Sequence, residues 1–533
     1  MGFAIFAALV VTVGAHVAQP AMTSHVPDAV VNGAARRVGA PSPAQPLELS
    51  ISLPLRDESG LHALLDNIYD PASPQFRRYL SVADFAARFS PTPAAYQSLV
   101  AFAIANNLRP HGLAANRRVL DVRGAVTDVE RAFHVKIDVY RHPTEARTFF
   151  APDREPTLDL GTPVLHISGL DDYVLPVAHI VRASSAAAAA PPTGSGPDGN
   201  FIGSDIRAAY YGGSALIGTG QSVGLFEFPG YRLADVRKYF SKVGQPENVP
   251  IVGVSLNGAS LDCNDKCDDG EQALDIEEAI SMAPGLKQLI VYVGRNDVSI
   301  MNQMASDDTS KQLSCSWGFA PDAAAVDPIF EEFAAQGQSF LVATGDDGYH
   351  LSEGGVWPSD DQFVTAVGGT DLTTTGPGGA WLSETGWFYS GGGPSPDHIA
   401  IPAYQAPFID AENDGSTKLR NVPDIAGDAQ TDNYSCYDGG CYAYNGGTSY
   451  AAPLWAGYIA LANQFAAASN KPPVGFLNPV VYTIGGSKGY PAAFHDQLHG
   501  YNGRYHARPG YDLVTGFGSP NGDDLIKALV RGR

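Results

Sequence analysis

The stretch NGGTSYAAPLWAG, Asn445 to Gly457, places a serine among small residues at the entry to an apolar helical run. Small neighbours let a substrate carbonyl approach closely, which suits Ser449 as a nucleophile. Pro453 falls in the first turns of the same run. Such a serine needs a base, usually histidine. Five histidines follow residue 200: His350, His398, His495, His499 and His506. None has a Gly-His-Gly-Thr setting, and the last three fall in a glycine-rich loop where solvated side chains are expected.

Carboxylates offer another base. In DDGEQALDIEEAISMAPG, residues 268–285, Glu271 and Asp275 stand four apart on an expected helix and share one face. Like charges that close cannot both ionise cheaply, so the pair shares protons. Glu271 can take the Ser449 proton while Asp275 orients it. From spacing alone, two solvated carboxylates on a surface helix are the plainer reading. In FLVATGDDG, Asp346 ends an apolar strand and enters a glycine-rich turn. Parallel sheets gather active groups at such strand ends, where a protonated Asp346 could donate to an oxyanion. An Asx turn or helix cap is the plainer reading of that motif by itself.

These residues need a frame. QSVGLFEF, KQLIVYVG, KQLSCSWG, QSFLVATGD and QFVTAVGGT read as short, almost wholly apolar strands. RLADVRKYFSKVG, GEQALDIEEAISMAP and AVDPIFEEFAAQG read as helices between them. That alternation predicts an α/β body over 201–533, a mostly parallel sheet with helices on both faces. Residues 45–182 read as a separate α+β unit. Between them, ASSAAAAAPPTGSGPDGN (183–200) is a linker open to proteolysis. Residues Gly2 to Gly14 form an apolar run of signal-peptide length, giving a candidate signal peptide over 1–20.

The formal net charge is -22. Residues 1–190 are near neutral, whereas the remainder holds 39 acidic against 18 basic residues. An acidic body disfavours nucleic acid and anionic membranes. Cys263/Cys267 and Cys436/Cys441 lie close in sequence and allow local disulfides in an exported protein, with unpaired thiols as the alternative. Cys315 reads as a buried small hydrophobe.

Taken together, the motifs resemble the sedolisins, serine-carboxyl peptidases carrying a pro-kumamolisin-type activation domain. Gly446-Gly447-Thr448-Ser449 with Pro453 matches the family's serine motif, Glu271 and Asp275 its Glu-x-x-x-Asp helix, and Thr344-Gly345-Asp346 with Gly348 its oxyanion turn. The resemblance implies a subtilisin-like body. It implies catalytic roles for Ser449, Glu271, Asp275 and Asp346, with Glu227 and Trp317 extending the carboxylate network. It also implies one structural calcium ion, Ca2+, held by the carboxylates of Asp496 and Asp512 and the carbonyls of Gln497 and Gly510. Arg508 departs from the glycine usual there.

The expected protein is a secreted, monomeric, acid-active endopeptidase made as a self-processing proenzyme. Its prodomain would act as an intramolecular inhibitor, and its substrates would be proteins or peptides. A tripeptidyl-releasing enzyme, a neutral subtilisin-type protease and an inactive binding protein are the alternatives. Arg77, Arg78, Arg117 and Arg118 are expected to latch the prodomain onto carboxylates of the body, with processing inside 183–200.

Overall fold

The computed structural model describes residues 25–183, 192–264, 267–320, 323–349 and 356–532. The candidate signal peptide, His350 and residues 184–191 of the expected linker lie outside the described residues.

In the N-terminal unit, four antiparallel strands run in the order Arg109–Leu113, Val119–Ala125, Pro46–Ser52, His166–Ser168. Leu47, Leu49 and Ile51 alternate along one strand, as do Leu120 and Val122 along its neighbour, and they meet a core shared with helices Pro93–Ala105 and Val126–Phe133. A second sheet joins Arg36–Gly39, Ile137–Arg141 and Thr148–Pro152. The unit therefore takes in residues N-terminal to the expected boundary at 45.

The body is built on eight strands: β1 (Ser222–Glu227), β2 (Ile251–Ser255), β3 (Gln288–Val293), β4 (Gln312–Cys315), β5 (Ser339–Ala343), β6 (Thr365–Thr374), β7 (Trp381–Gly386) and β8 (Ile425–Asp428). Their order is β2-β3-β1-β4-β5-β6-β7, with β8 also pairing β6. Every pairing is parallel except β6 with β7. Strands β1, β4 and β5 are buried along their whole length, as the centre of a parallel sheet covered on both faces requires. Three helices matter for the site: α1 (Gly270–Met282), α2 (Ala323–Gln336) and α3 (Thr448–Ala468). Gly457 brings α3 close to α1, since a Cβ there would stand 2.7 Å from the Met282 Cβ.

Helices Glu58–Tyr69 and Val82–Arg88 of the N-terminal unit pack on α2, with Leu65, Ile68, Phe85 and Phe89 against Ala334, Ala335 and Phe476. Tyr69 donates to the Ala334 carbonyl at 2.7 Å, and Ser299 to the Asp121 carboxylate at 2.7 Å. The expected arginine latch fails at Arg77 and Arg117, which bind carbonyls instead of carboxylates. Arg77 donates to the carbonyls of Leu529 (2.7 Å) and Val530 (3.2 Å), at a helix C-terminus that favours a cation. Arg117 turns back to Pro91 and Ala86 of its own unit. Arg118 is fully buried near Glu332 and Glu331, without a hydrogen bond to its guanidinium among the described residues. Charged contacts that do cross include His62 with Glu331 at 2.5 Å and Arg182 with Asp268 at 2.6 Å.

Cys263–Cys267 and Cys436–Cys441 are disulfides, and Cys315 is free and buried. Among the described residues no helix is long and apolar enough to cross a membrane.

Candidate active site

Ser449 is the second residue of α3. The chain enters the helix through Gly447, whose φ of 115° is open to glycine. Across from it, Glu271 occupies the first turn of α1 and Asp275 the next. Every residue of α1 is buried, which overturns the solvated surface helix that spacing alone allowed. The helix start is fixed from outside: Asp269 accepts from the Arg232 amide at 2.8 Å and its guanidinium at 2.6 Å.

From Ser449 the carboxyls run inward as a chain. Ser316 donates to Asp275 at 2.8 Å, and Trp317 donates through Nε1 to Glu227 at 2.9 Å. Glu227 ends β1 and is fully buried. Burial, followed by the charges of Glu227 and Glu271, drives Asp275 well above the ordinary carboxylate range. Burial likewise drives Glu271 well up, opposed by its interaction with the Ser449 hydroxyl. Glu227 is raised to about 8, again chiefly by burial. Three carboxyls packed this way share fewer than three protons, and with the protons on Asp275 and Glu227 the ionised Glu271 can accept the one from Ser449. Among the described residues, Ser449 Oγ and both carboxyl oxygens of Glu271 are buried without a hydrogen bond of ordinary geometry.

Asp346 follows β5. Its Oδ1 accepts from the Thr448 amide at 2.8 Å and the Thr448 hydroxyl at 3.0 Å. It does therefore cap a helix, but the helix is α3, reached from across the sheet. Oδ2 is buried and has no hydrogen bond among the described residues. Burial raises Asp346 to about 7, so in acid this carboxyl carries a proton that it can donate.

One participant went unread in the sequence. Residues Val177–Ala178 pair antiparallel with Trp317–Gly318, and Val181–Arg182 with Asn445–Gly446. The tail of the N-terminal unit thus crosses the site as an extended strand held on both sides. Between the two pairings, His179 donates its amide to the Ser316 carbonyl at 3.1 Å and accepts at its own carbonyl from the Ser449 amide at 3.2 Å. A Cβ on Gly447 would stand 2.3 Å from that carbonyl oxygen and 2.6 Å from Asp346 Oδ2, so both crowd the same point. The short apolar run Val177 to Val181, interrupted by His179, was the available signal.

Farther off, the residues expected to hold calcium lie near the C-terminus, with the Gln497 side-chain amide donating to Glu384 at 2.9 Å. Asp496 accepts from the Gly510 amide at 3.1 Å, and Asp512 from the Arg508 amide at 3.0 Å. Of the C-terminal histidines, His495 is stacked on Trp381 at 4.0 Å.

Comparison with known proteins gives the family. Residues 34–173 match the family model "Pro-kumamolisin, activation domain", and residues 251–476 match "Subtilase family". Kumamolisin from Bacillus sp. is 31% identical over 514 residues, covering 86% of this chain and 87% of that one. Sedolisin from Pseudomonas sp. is 29% identical over 512 residues, covering 88% and 84%. A solved structure of Pseudomonas sedolisin, a serine-carboxyl proteinase complexed with two molecules of pseudo-iodotyrostatin, is similar with a TM-score of 0.54 at 28% identity, covering 61% of this chain and 96% of that one. With the activation-domain match and a relative 31% identical across most of both chains, the chain belongs to the sedolisin family of serine-carboxyl peptidases, hydrolases of the peptide bond.

Proposed function

We propose that the protein is an exported, acid-active endopeptidase made as a proenzyme that first cuts its own His179–Ile180 bond. The seat of His179 carries this reading: its carbonyl meets the Ser449 amide at 3.2 Å, where a developing oxyanion would be held. Ser449 Oγ attacks that carbonyl carbon and its proton passes to Glu271. The Ser449 amide and the Asp346 proton stabilise the oxyanion. Collapse breaks the bond to Ile180, Glu271 returns the proton to the leaving amine, and water then hydrolyses the acyl-enzyme by the reverse route. This bond lies upstream of the 183–200 stretch first expected to be cut.

Acid suits this machinery. Asp346 keeps its proton up to about pH 7, and a carboxylate base works where imidazole is protonated. Upstream of Val177, the third residue before the cut, the chain runs on through exposed residues 174–176, and downstream it continues past Arg182. That favours an endopeptidase over a tripeptidyl-releasing enzyme. Two disulfides favour an oxidising compartment outside the cytosol.

The 496–512 loop fits a hard cation. Asp496 and Asp512 both bear on the Tyr490 phenol, Gly510 adopts the turn at φ 82°, and Arg508 is drawn away to Glu412. Asp496, Asp512 and the carbonyls of Gln497 and Gly510 would hold calcium, which would cross-brace the loop.

Incubating the purified protein with an internally quenched peptide across about pH 3 to 8, with products identified by mass, tests the reading. Internal cleavage with an acid optimum is expected. An optimum above neutrality would instead favour a histidine-based protease, and exclusive release of tripeptides the tripeptidyl enzyme. Absence of cleavage and of serine labelling by a peptide aldehyde would leave only a binding protein.

A further inference from the structure

The carboxyl-terminal side of the cleft contains a built site for a basic side chain. With His179–Ile180 as the bond at Ser449, Arg182 is the third residue beyond the cut. Its guanidinium makes a two-pronged ion pair with Asp268, Nη1 to Oδ2 at 2.6 Å and Nη2 to Oδ1 at 2.7 Å. The same group lies over the Tyr437 ring, 4.6 Å from its centroid. Antiparallel pairing of Arg182 with Asn445 and donation from the Ala183 amide to the Tyr444 carbonyl at 2.9 Å set the backbone above this site.

Three features show that the site is shaped for a guanidinium. Gly270, the first residue of α1, leaves the space: a Cβ there would stand 2.0 Å from Arg182 Nη2. Asp268 and Tyr437 come from separate loops, one following the Cys263–Cys267 disulfide and the other inside the Cys436–Cys441 disulfide. Asp438 adds negative charge, while the nearby cation Arg232 is already bound to Asp269 and Asp438, both at 2.6 Å. A planar fork facing a carboxylate edge-on, with an aromatic ring on its face, is arginine recognition rather than general attraction for cations.

We infer that Asp268, Tyr437 and Gly270 form a specificity subsite that selects arginine at the third position beyond the cleaved bond, in substrates as in the enzyme's own chain. This rests on the endopeptidase reading and on the bond assigned to Ser449. Asp268 holds its charge into acid, because hydrogen bonding to the guanidinium lowers its carboxyl below the ordinary value. The subsite therefore persists under the conditions in which Asp346 carries its proton.

The test uses processed enzyme and peptides identical except for arginine, citrulline or glutamate at that third position. Citrulline keeps the shape and removes the charge. Both partners are partly exposed, so a kcat/KM advantage of about fivefold or more for arginine over citrulline is expected. Asp268→Asn should bring that ratio to about one, and Asp268→Lys should favour glutamate. Equal turnover of arginine and citrulline peptides by the wild type, at the intended bond, overturns the subsite and leaves the peptidase reading standing. Cleavage of neither peptide overturns both. The wild-type ratio decides by itself if a variant fails to fold.

Discussion

His179 gives its carbonyl oxygen to the Ser449 amide at 3.2 Å while its ring lies buried against Gly345. The backbone of one residue thus sits where a substrate carbonyl must sit, and its side chain fills the adjoining pocket. Burial lowers the His179 imidazole to about 4. The docked segment therefore favours the neutral ring. Its grip is fully present above the free-histidine value near 6.5 and weakens as pH falls toward 4, by up to about 3 kcal/mol. For peptides spanning Val177 to Arg182, the KM of the histidine form relative to a glutamine form should rise by ~100-fold from about pH 7 to 4. A ratio independent of pH would exclude this release by acid.

The carboxyl chain should behave as a unit. Glu271→Gln and Asp275→Asn should each lower kcat by about 10²–10⁴-fold with the fold retained. Because they share protons with Glu227, the double variant should be little worse than the poorer single one. Multiplication of the two losses would contradict a shared-proton mechanism.

Asp346 must donate, so its proton must be present. With the carboxyl raised to about 7, activity should decline as pH rises through neutrality. Asp346→Asn should retain part of the hydrogen bond, whereas Asp346→Ala should cost about 10²–10³-fold in kcat. A pH profile of the asparagine variant that still falls at the wild-type midpoint would assign that midpoint elsewhere.

Much of this site was legible before any coordinates. Glu271 with Asp275, Asp346 and Ser449 each lie in a short local motif at a helix start or strand end, and local spacing carries such information. What spacing could not say was that all of α1 is buried, since burial is decided by how α1 and α3 meet at Gly457. The seat of His179 was also hidden: an extended segment reveals nothing of its partners, and its partners are distant in sequence. The arginines misled for a similar reason. A long side chain can choose among carboxylates, carbonyls and its own unit, and Arg77 and Arg117 chose carbonyls.

Buried acids should also set the stability profile. Burial raises Glu278 to about 8, and Glu332 and Asp346 each to about 7. The folded state keeps these protons while the unfolded chain loses them from about pH 4 upward, so stability should fall as pH rises from about 4 to 8. Melting temperature measured over that range checks the sign, and Glu278→Gln should flatten the decline. A proenzyme that grows more stable toward pH 8 would contradict it.

Calcium removal should lower the melting temperature by several degrees, because an ion bound only to the native state stabilises it by mass action. Asp512→Ala should remove the dependence on calcium while leaving the pH profile of residual activity unchanged. Identical melting of that variant and the wild type in excess calcium would move the ion to another place.

The most direct measurement is the identity of the first bond cut. Purified proenzyme shifted from about pH 7 to 4 and stopped at early times should yield, by intact mass and N-terminal sequencing, a new chain beginning at Ile180. The Ser449→Ala proenzyme should remain whole under the same shift. A first cut away from His179–Ile180, or processing of the Ser449→Ala protein at the wild-type rate, would contradict the account.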